Sequence, residues 1–291
     1  MEKATPRLLP LILAVGVIAV SLAAIFIRLA DAPGVVVAAY RMLLASLILL
    51  PWSIPALTRT PLTRHNALYA VLAGVLLAAH FATWITSLSY TSVAASVALV
   101  STHPLWVALF SWLFLQAAPA LAVIFGVLLT VLGAAMIGFS DLGGGGAPPI
   151  GNGLAVLGAM AAAGYLLLGR AAQQRGLSLP AYVGVAYGVA ALALLPLPLL
   201  FGLPYLNYPL ESFIWIALLA LIPQLVGHTS FNYALRIINP TTVATVILLE
   251  PIGAGLLAVA VFGEIPTALT AVGALILVAG VILTARHNRS A

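Results

Sequence analysis

The stretch VSTHPLW, Val100 to Trp106, places a histidine and a proline side by side inside an otherwise apolar run. Much further along, VILLEPIG, Val246 to Gly253, does the same with a glutamate before the proline. A proline inside a helix removes a backbone donor, and an ionisable side chain there is costly if the helix lies in lipid. What surrounds these two dipeptides decides what kind of chain this is.

The chain has 291 residues, of which 64% are hydrophobic and 6% charged. Soluble domains carry roughly 25% charged residues. Mean hydropathy is +1.21. A surface this short of charge must face lipid over most of its area. The net charge of +5 and the pI near 9.8 do not indicate nucleic acid, because the basic residues lie singly in short loops and form no patch. The absence of cysteine excludes disulfides and thiolate metal sites. The start, MEKATPRLLPLILAVGVIAVSLAAIFIR, has the look of a signal peptide. Its apolar run exceeds the ~7–15 residues of such a segment, and it recurs later, so it reads as a retained first helix.

A spanning helix needs ~20 mostly apolar residues. Ten runs qualify: about 8–29, 34–53, 67–89, 93–115, 119–140, 151–171, 180–200, 213–235, 241–262 and 267–286. DAPG at 31–34, TRTPLTRHN at 58–66, GLPYLNYP at 202–209 and NPTT at 239–242 supply turn chemistry between them. The break at 90–92, YTS, demands a tight hairpin. With the N-terminus in the cytoplasm, Lys3, Arg7, Arg59, Arg64, Arg170, Arg175, Arg236, Arg286 and Arg289 fall on the cytoplasmic side, nine of the eleven basic residues. The expectation is a multi-pass protein of the inner (cytoplasmic) membrane with both termini inside. Trp52, Trp112, Trp215, Tyr205 and Tyr208 then suit the aromatic belts.

The glycine-rich segment SDLGGGGAPPIGNG, Ser140 to Gly153, separates five spans from five. One constant offset carries Gly16 to Gly158, Arg28 to Arg170 and Tyr40 to Tyr182. A second, slightly longer offset carries Pro104 to Pro251, Pro119 to Pro266, Gly126 to Gly273 and Gly133 to Gly280. The chain therefore reads as a first five-helix repeat over 1–141, a linker over 142–152 and a second repeat over 153–291. Because five is odd, the copies must insert upside down relative to each other. The fold class expected is all-α, ten transmembrane helices in two inverted repeats around a central cavity. Inverted repeats are a construction rule of secondary transporters.

LILLPW in the second span, SYTSVAASVALVSTHPLWVALFSWLF in the third and fourth, VATVILLEPIGAGLLAVAVFGE in the ninth and GALILVAGVIL in the tenth resemble the drug/metabolite transporter superfamily, EamA type. The similarity extends over essentially the whole chain, and the nearest subgroup is the YddG-type aromatic amino-acid exporters. The resemblance implies export of small organic metabolites. One departure concerns the Gly-Glu pair that follows the fourth or ninth span in this family: Gly263-Glu264 fits, whereas the first half has Gln116-Ala117.

His103 and Glu250 each fall nine or ten residues into a span, which at 1.5 Å per residue is near the middle of a ~30 Å core. Pro104 and Pro251 strip the carbonyls of Val100 and Ile247 of their partners, which lipid tolerates only beside other polar groups or water. The two prolines read as hinges or cavity-shaping kinks; plain packing is the alternative. An ionised Glu250 at mid-membrane costs ~3 kcal/mol, so it should neutralise or find a partner; a permanent structural pairing with Arg41 is the alternative to a functional role. In the eighth span Gln224, His228 and Asn232 share a face, as do His80, Thr83, Trp84 and Ser87 in the third. Trp106, Tyr165 and Tyr187 complete the candidate substrate-binding set, against ordinary packing roles for the aromatics. Gly184-x-x-x-Gly188 reads as close packing within the bundle before a dimer seam, and a monomer is compatible with the pattern.

The reading is a secondary exporter of small organic solutes, amino acids including aromatic ones, working by alternating access. An ammonium would meet Glu250 or a carbonyl, a carboxylate would meet a histidine or Arg41, and an aromatic side chain would stack on Trp84 and Trp106. Other drugs or cationic metabolites remain open as solutes. A channel would show rings of charge or pore-lining polar residues. H-E-x-x-H and G-x-S-x-G are both absent, which disfavours an intramembrane enzyme. No G-x-x-x-x-G-K-[ST] stretch exists for a nucleotide. No cofactor or metal is expected.

Overall fold

Prolines and small polar caps set the helix boundaries. The computed structural model describes residues 7–60, 62–116, 120–140, 148–263 and 265–287. Among the described residues the chain is helical throughout and contains no strand. α1 (Leu9–Ser21) and α2 (Ala23–Leu29) run nearly end to end, and α3 (Gly34–Arg59) follows Pro33. α4 (Arg64–Ser87) opens with a reciprocal cap. Asn66 N–H donates to Thr63 Oγ1 at 3.3 Å, and Thr63 N–H donates to Asn66 Oδ1 at 2.9 Å. A tight turn over 88–92 leads into α5 (Val93–Val100), which breaks before α6 (His103–Leu115). α7 (Leu121–Ser140) closes the first half.

The second half runs α8 (Pro148–Gln174), α9 (Leu179–Leu194), α10 (Pro196–Leu200) and α11 (Leu210–Leu219). The π-helical segment Ala220–His228 and α12 (Thr229–Ala234) continue α11. α13 (Pro240–Ile247) breaks before α14 (Glu250–Phe262), and α15 (Ala268–His287) ends the bundle. The glycine-rich linker expected over 142–152 lies partly outside the described residues; from Pro148 onward the chain is already helical.

Among the described residues seven segments are long and apolar enough to cross a bilayer, by length and composition: Leu9–Leu29, Gly34–Arg59, Arg64–Ser87, Ala95–Phe114, Pro149–Gln174, Leu179–Leu200 and Leu210–Ala234. Ile124–Ile137, Glu250–Phe262 and Ala268–Gly280 are apolar but shorter. The ninth run, expected as one helix over 241–262, is cut at Leu248–Leu249 into α13 and α14.

The packing partners follow a rule. α1 lies on the π-helical segment, α3 on α9, α4 on α8 and α7 on α15, while α5 crosses α14 and α6 crosses α13. Individual contacts recur at the offsets seen in the sequence. Gly16 packs against Ser230 and Phe231; its counterpart Gly158 packs against Thr83 and Trp84, which the longer offset carries onto Ser230 and Phe231. Arg28 donates to the Thr91 carbonyl at 2.7 Å, and Arg170 donates to the carbonyl of Ile238, the position matching Thr91. Ser92 Oγ caps Ala95 N–H at 3.1 Å, and Asn239 Oδ1 caps Thr242 N–H at 2.7 Å, again related by the longer offset. Gln116 and Gly263 both end their helices left-handed, at φ 54° and 68°.

The α7–α15 seam depends on glycine. A Cβ at Gly133 would sit 2.5 Å from the Gly273 carbonyl oxygen, and one at Gly280 would sit 2.6 Å from that of Gly126. These contacts exchange under the longer offset. In lipid, where apolar surface alone gives little drive for association, such close backbone approach supplies packing energy. Gly184 packs against Ser53 of α3, whereas a Cβ at Gly188 would meet nothing within 4 Å, so only the first glycine of that motif makes a close contact. Trp52 and Trp112 are exposed on the bundle surface. Trp215 instead packs against Phe26 with tilted rings at 5.5 Å, and Tyr205 lies edge-on to Tyr40 at 5.4 Å.

Gly133→Ala is expected to destabilise the fold by ~1–3 kcal/mol through overpacking. Gly255→Ala, where a Cβ meets open space, is expected to be neutral or stabilising by up to ~1 kcal/mol. Thermal unfolding of the two variants in detergent checks the contrast, and equal midpoints would remove the seam from the account.

Candidate functional site

Pro104 and Pro251 stand one residue inside α6 and α14, directly after two-residue breaks. Pro104 has no N–H for the Val100 carbonyl. His103 supplies one, its Nδ1–H donating to that carbonyl at 3.2 Å. Thr102 Oγ1 donates to the Leu99 carbonyl at 2.8 Å and accepts from Trp106 Nε1 at 3.3 Å. The histidine thus does for the backbone what the proline cannot. Glu250 occupies the equivalent position in the second half and is 9% exposed. An ionised carboxylate has no N–H to offer, so the second break presents a different chemistry.

Between the breaks lies a cavity of about 50 Å³. His80, Trp84, His103, Tyr165, His228 and Glu250 line it, with Val100, Ser101, Ala162, Leu166, Phe231 and Ile247 forming the remaining walls. That volume holds a few waters at ~10–15 Å³ each, well short of the ~300 Å³ of a small-ligand pocket. His80 donates Nδ1–H to the Gly158 carbonyl at 2.9 Å and stacks on Trp84 at 5.7 Å with an interplanar angle of 11°. Its ring centre is 6.3 Å from that of His228. Among the described residues no cluster of three His, Cys, Asp or Glu could hold a metal ion.

Four residues of the sequence-derived set do not line the cavity. Tyr187 and Asn232 lie behind Tyr165. The Tyr165 hydroxyl donates to Asn232 Oδ1 at 2.8 Å, and Asn232 Nδ2 donates to the Tyr187 hydroxyl at 3.2 Å. Gln173 Nε2 donates to the Asn232 carbonyl at 3.1 Å. Gln224 accepts from Arg41 Nε at 2.9 Å, away from the cavity. Trp106 packs beside Phe110 at 6.3 Å. The expected pairing of Arg41 with Glu250 is not made: no salt bridge within 4.0 Å joins these two described residues, because Arg41 is held by Gln224 and lies over the Phe81 ring at 3.9 Å.

Ser101, Phe231 and the apolar walls were not singled out from sequence. Phe231 was within reach, since the longer offset carries Trp84 onto it. Ser101 carried no signal beyond its place in the break. Of the family's Gly-Glu pair, Glu264 lies outside the described residues, as does Ala117 in the first half.

No curated protein matches the chain. Twenty-nine solved chains match it in fold. One of them, described only as "Crystal structure of protein", superposes with a TM-score of 0.71 over 98% of this chain and 99% of its own at 16% identity, which shows a shared fold. The EamA-like transporter family matches twice, over residues 8–139 and 149–286. With two family repeats spanning nearly its whole length, the chain belongs to the EamA-like transporter family, whose members are membrane transporters of small molecules.

Proposed function

We propose that this protein is a secondary exporter of small organic metabolites, amino acids including aromatic ones, working by alternating access. In this reading it crosses the inner membrane ten times with both termini cytoplasmic. Residues 1–141 and 153–291 are its oppositely inserted five-helix repeats. The exchange of equivalent contacts between the halves, Gly16 with Phe231 and Gly158 with Trp84, supports a two-fold relation. An odd number of spans per copy then makes the copies antiparallel, so that one packing open to one side has a counterpart open to the other.

The observation that carries the proposal is the cavity at the two broken helix centres, faced by His103 and Glu250 from equivalent positions. Glu250 receives the ammonium of the solute, and Trp84, stacked with His80, offers a face to an aromatic side chain. Pro104 and Pro251 are the points about which α5–α6 and α13–α14 change angle. The YddG-like subgroup is supported by the sequence resemblance and by this aromatic lining.

Full-length protein reconstituted in vesicles is expected to show saturable counterflow with aromatic or aliphatic amino acids, tested beside charged amino acids and quaternary amines with and without a pH difference. Absence of counterflow for every solute would overturn the carrier reading. Glu250→Gln removes a charge-assisted contact worth ~1.5–3 kcal/mol. It should slow transport by roughly tenfold or more or change its pH profile, and unchanged values of both would remove Glu250 from the mechanism.

A further inference from the structure

A buried cation lies behind the cavity wall. Arg41 is wholly buried, yet its Nη1 and Nη2 have no hydrogen-bond partner, and neither does Nε2 of Gln224. The Gln224 carboxamide is oriented by Arg41, whose Nε–H needs the oxygen. Tyr187 lies near the carboxamide but outside hydrogen-bond geometry with Nε2. A guanidinium carries donors and no acceptor, and a carboxamide nitrogen likewise. The cluster is therefore a patch of buried N–H groups with a fixed positive charge and no anion in contact.

The cavity beside it has the opposite character. His80 and His103 each donate Nδ1–H to a carbonyl oxygen, which can only accept. In a neutral imidazole the remaining Nε2 is then an acceptor. Nε2 of His103 is buried and unpartnered. Together with the Glu250 carboxylate these atoms suit an ammonium and repel a carboxylate. Donors stand on one side and acceptors on the other. The layer between them is one side chain thick: the Phe81 ring, under the guanidinium at 3.9 Å, packs edge-on to His228 at 5.3 Å and beside His80 at 4.8 Å. For a solute group in the cavity to reach the guanidinium, the Phe81–His228 contact must part. His228 and Gln224 both belong to the π-helical segment, a register change of the kind found at functional sites.

We infer that Arg41 and Gln224 form the carboxylate subsite of the carrier, taking the α-carboxylate of a solute whose ammonium meets Glu250. This rests on the carrier reading above. It assigns the carboxylate to the guanidinium and not to a histidine, and it makes a free carboxylate a condition of transport.

The test is counterflow in vesicles with L-phenylalanine and with phenethylamine, its decarboxylated counterpart. Leucine and isopentylamine serve as a second pair. The wild type is expected to favour each amino acid over its amine by at least ~10-fold, because the amine leaves the buried donors unmatched. Arg41→Met should bring that ratio near one, Arg41→Lys should keep part of it, and Gln224→Leu should lower it less than Arg41→Met. Thermal unfolding confirms which variants are folded; Arg41→Lys and Gln224→Leu carry the test if Arg41→Met is not. A wild type that carries amines as well as amino acids overturns the subsite and leaves the carrier standing, as does a folded Arg41 variant with the ratio intact. A wild type that carries none of the four solutes overturns the subsite, and the carrier reading falls with it only if every solute of the wider panel fails as well.

Discussion

Inside a bilayer no water is present to satisfy a backbone group, so every broken helix must find its own partners. This constraint organises the molecule. The chain breaks two helices at their centres, and at the first the histidine before the proline donates to the carbonyl that the proline strands. In the π-helical segment, which contains Pro223, the Thr229 hydroxyl likewise donates to a backbone carbonyl, that of Gln224. Polar side chains gather at these places because lipid-facing positions could not support them. The cavity is the space they share.

The repeated contacts and the unrepeated chemistry belong to different layers of the structure. Helix caps, arginine anchors and glycine seams recur in both halves at matched positions. The polar interior does not. At the two offsets, Tyr165 corresponds to Ala23, Asn232 to Ile85, Gln224 to Leu77 and Arg41 to Val183. His80 donates to the Gly158 carbonyl, while its counterpart Gly227 faces the Gly16 carbonyl with no side chain at all. Duplication supplies the scaffold, and divergence of a few side chains supplies the site.

Much of this was legible in the sequence because the governing signals are local. Apolar run length marks helices, Ser92 and Asn239 mark their starts, and paired prolines at one offset reveal the repeat. Depth along a span placed His103 and Glu250 near the centre. What periodicity could not supply was rotation and rank. Gln224, His228 and Asn232 share a helix face, yet His228 alone lines the cavity; Asn232 is held by Tyr165 and Tyr187, and Gln224 by Arg41. The π-helical register and the helix neighbours decide that, and neither is written in any one segment. The direct Arg41–Glu250 pair failed for a related reason: opposite charge says nothing about the Phe81 ring beneath the guanidinium.

Opposite insertion of the two halves is the central claim, and the absence of cysteine from the chain makes it directly measurable. Ala32 follows α2 and Gln174 ends α8, at nearly equivalent places in the two copies. Single cysteines at these positions should react with a membrane-impermeant thiol reagent from opposite faces, Ala32→Cys from outside intact cells and Gln174→Cys only after the cytoplasmic face is opened. Labelling of both from the same face would contradict the inverted arrangement and the account built on it.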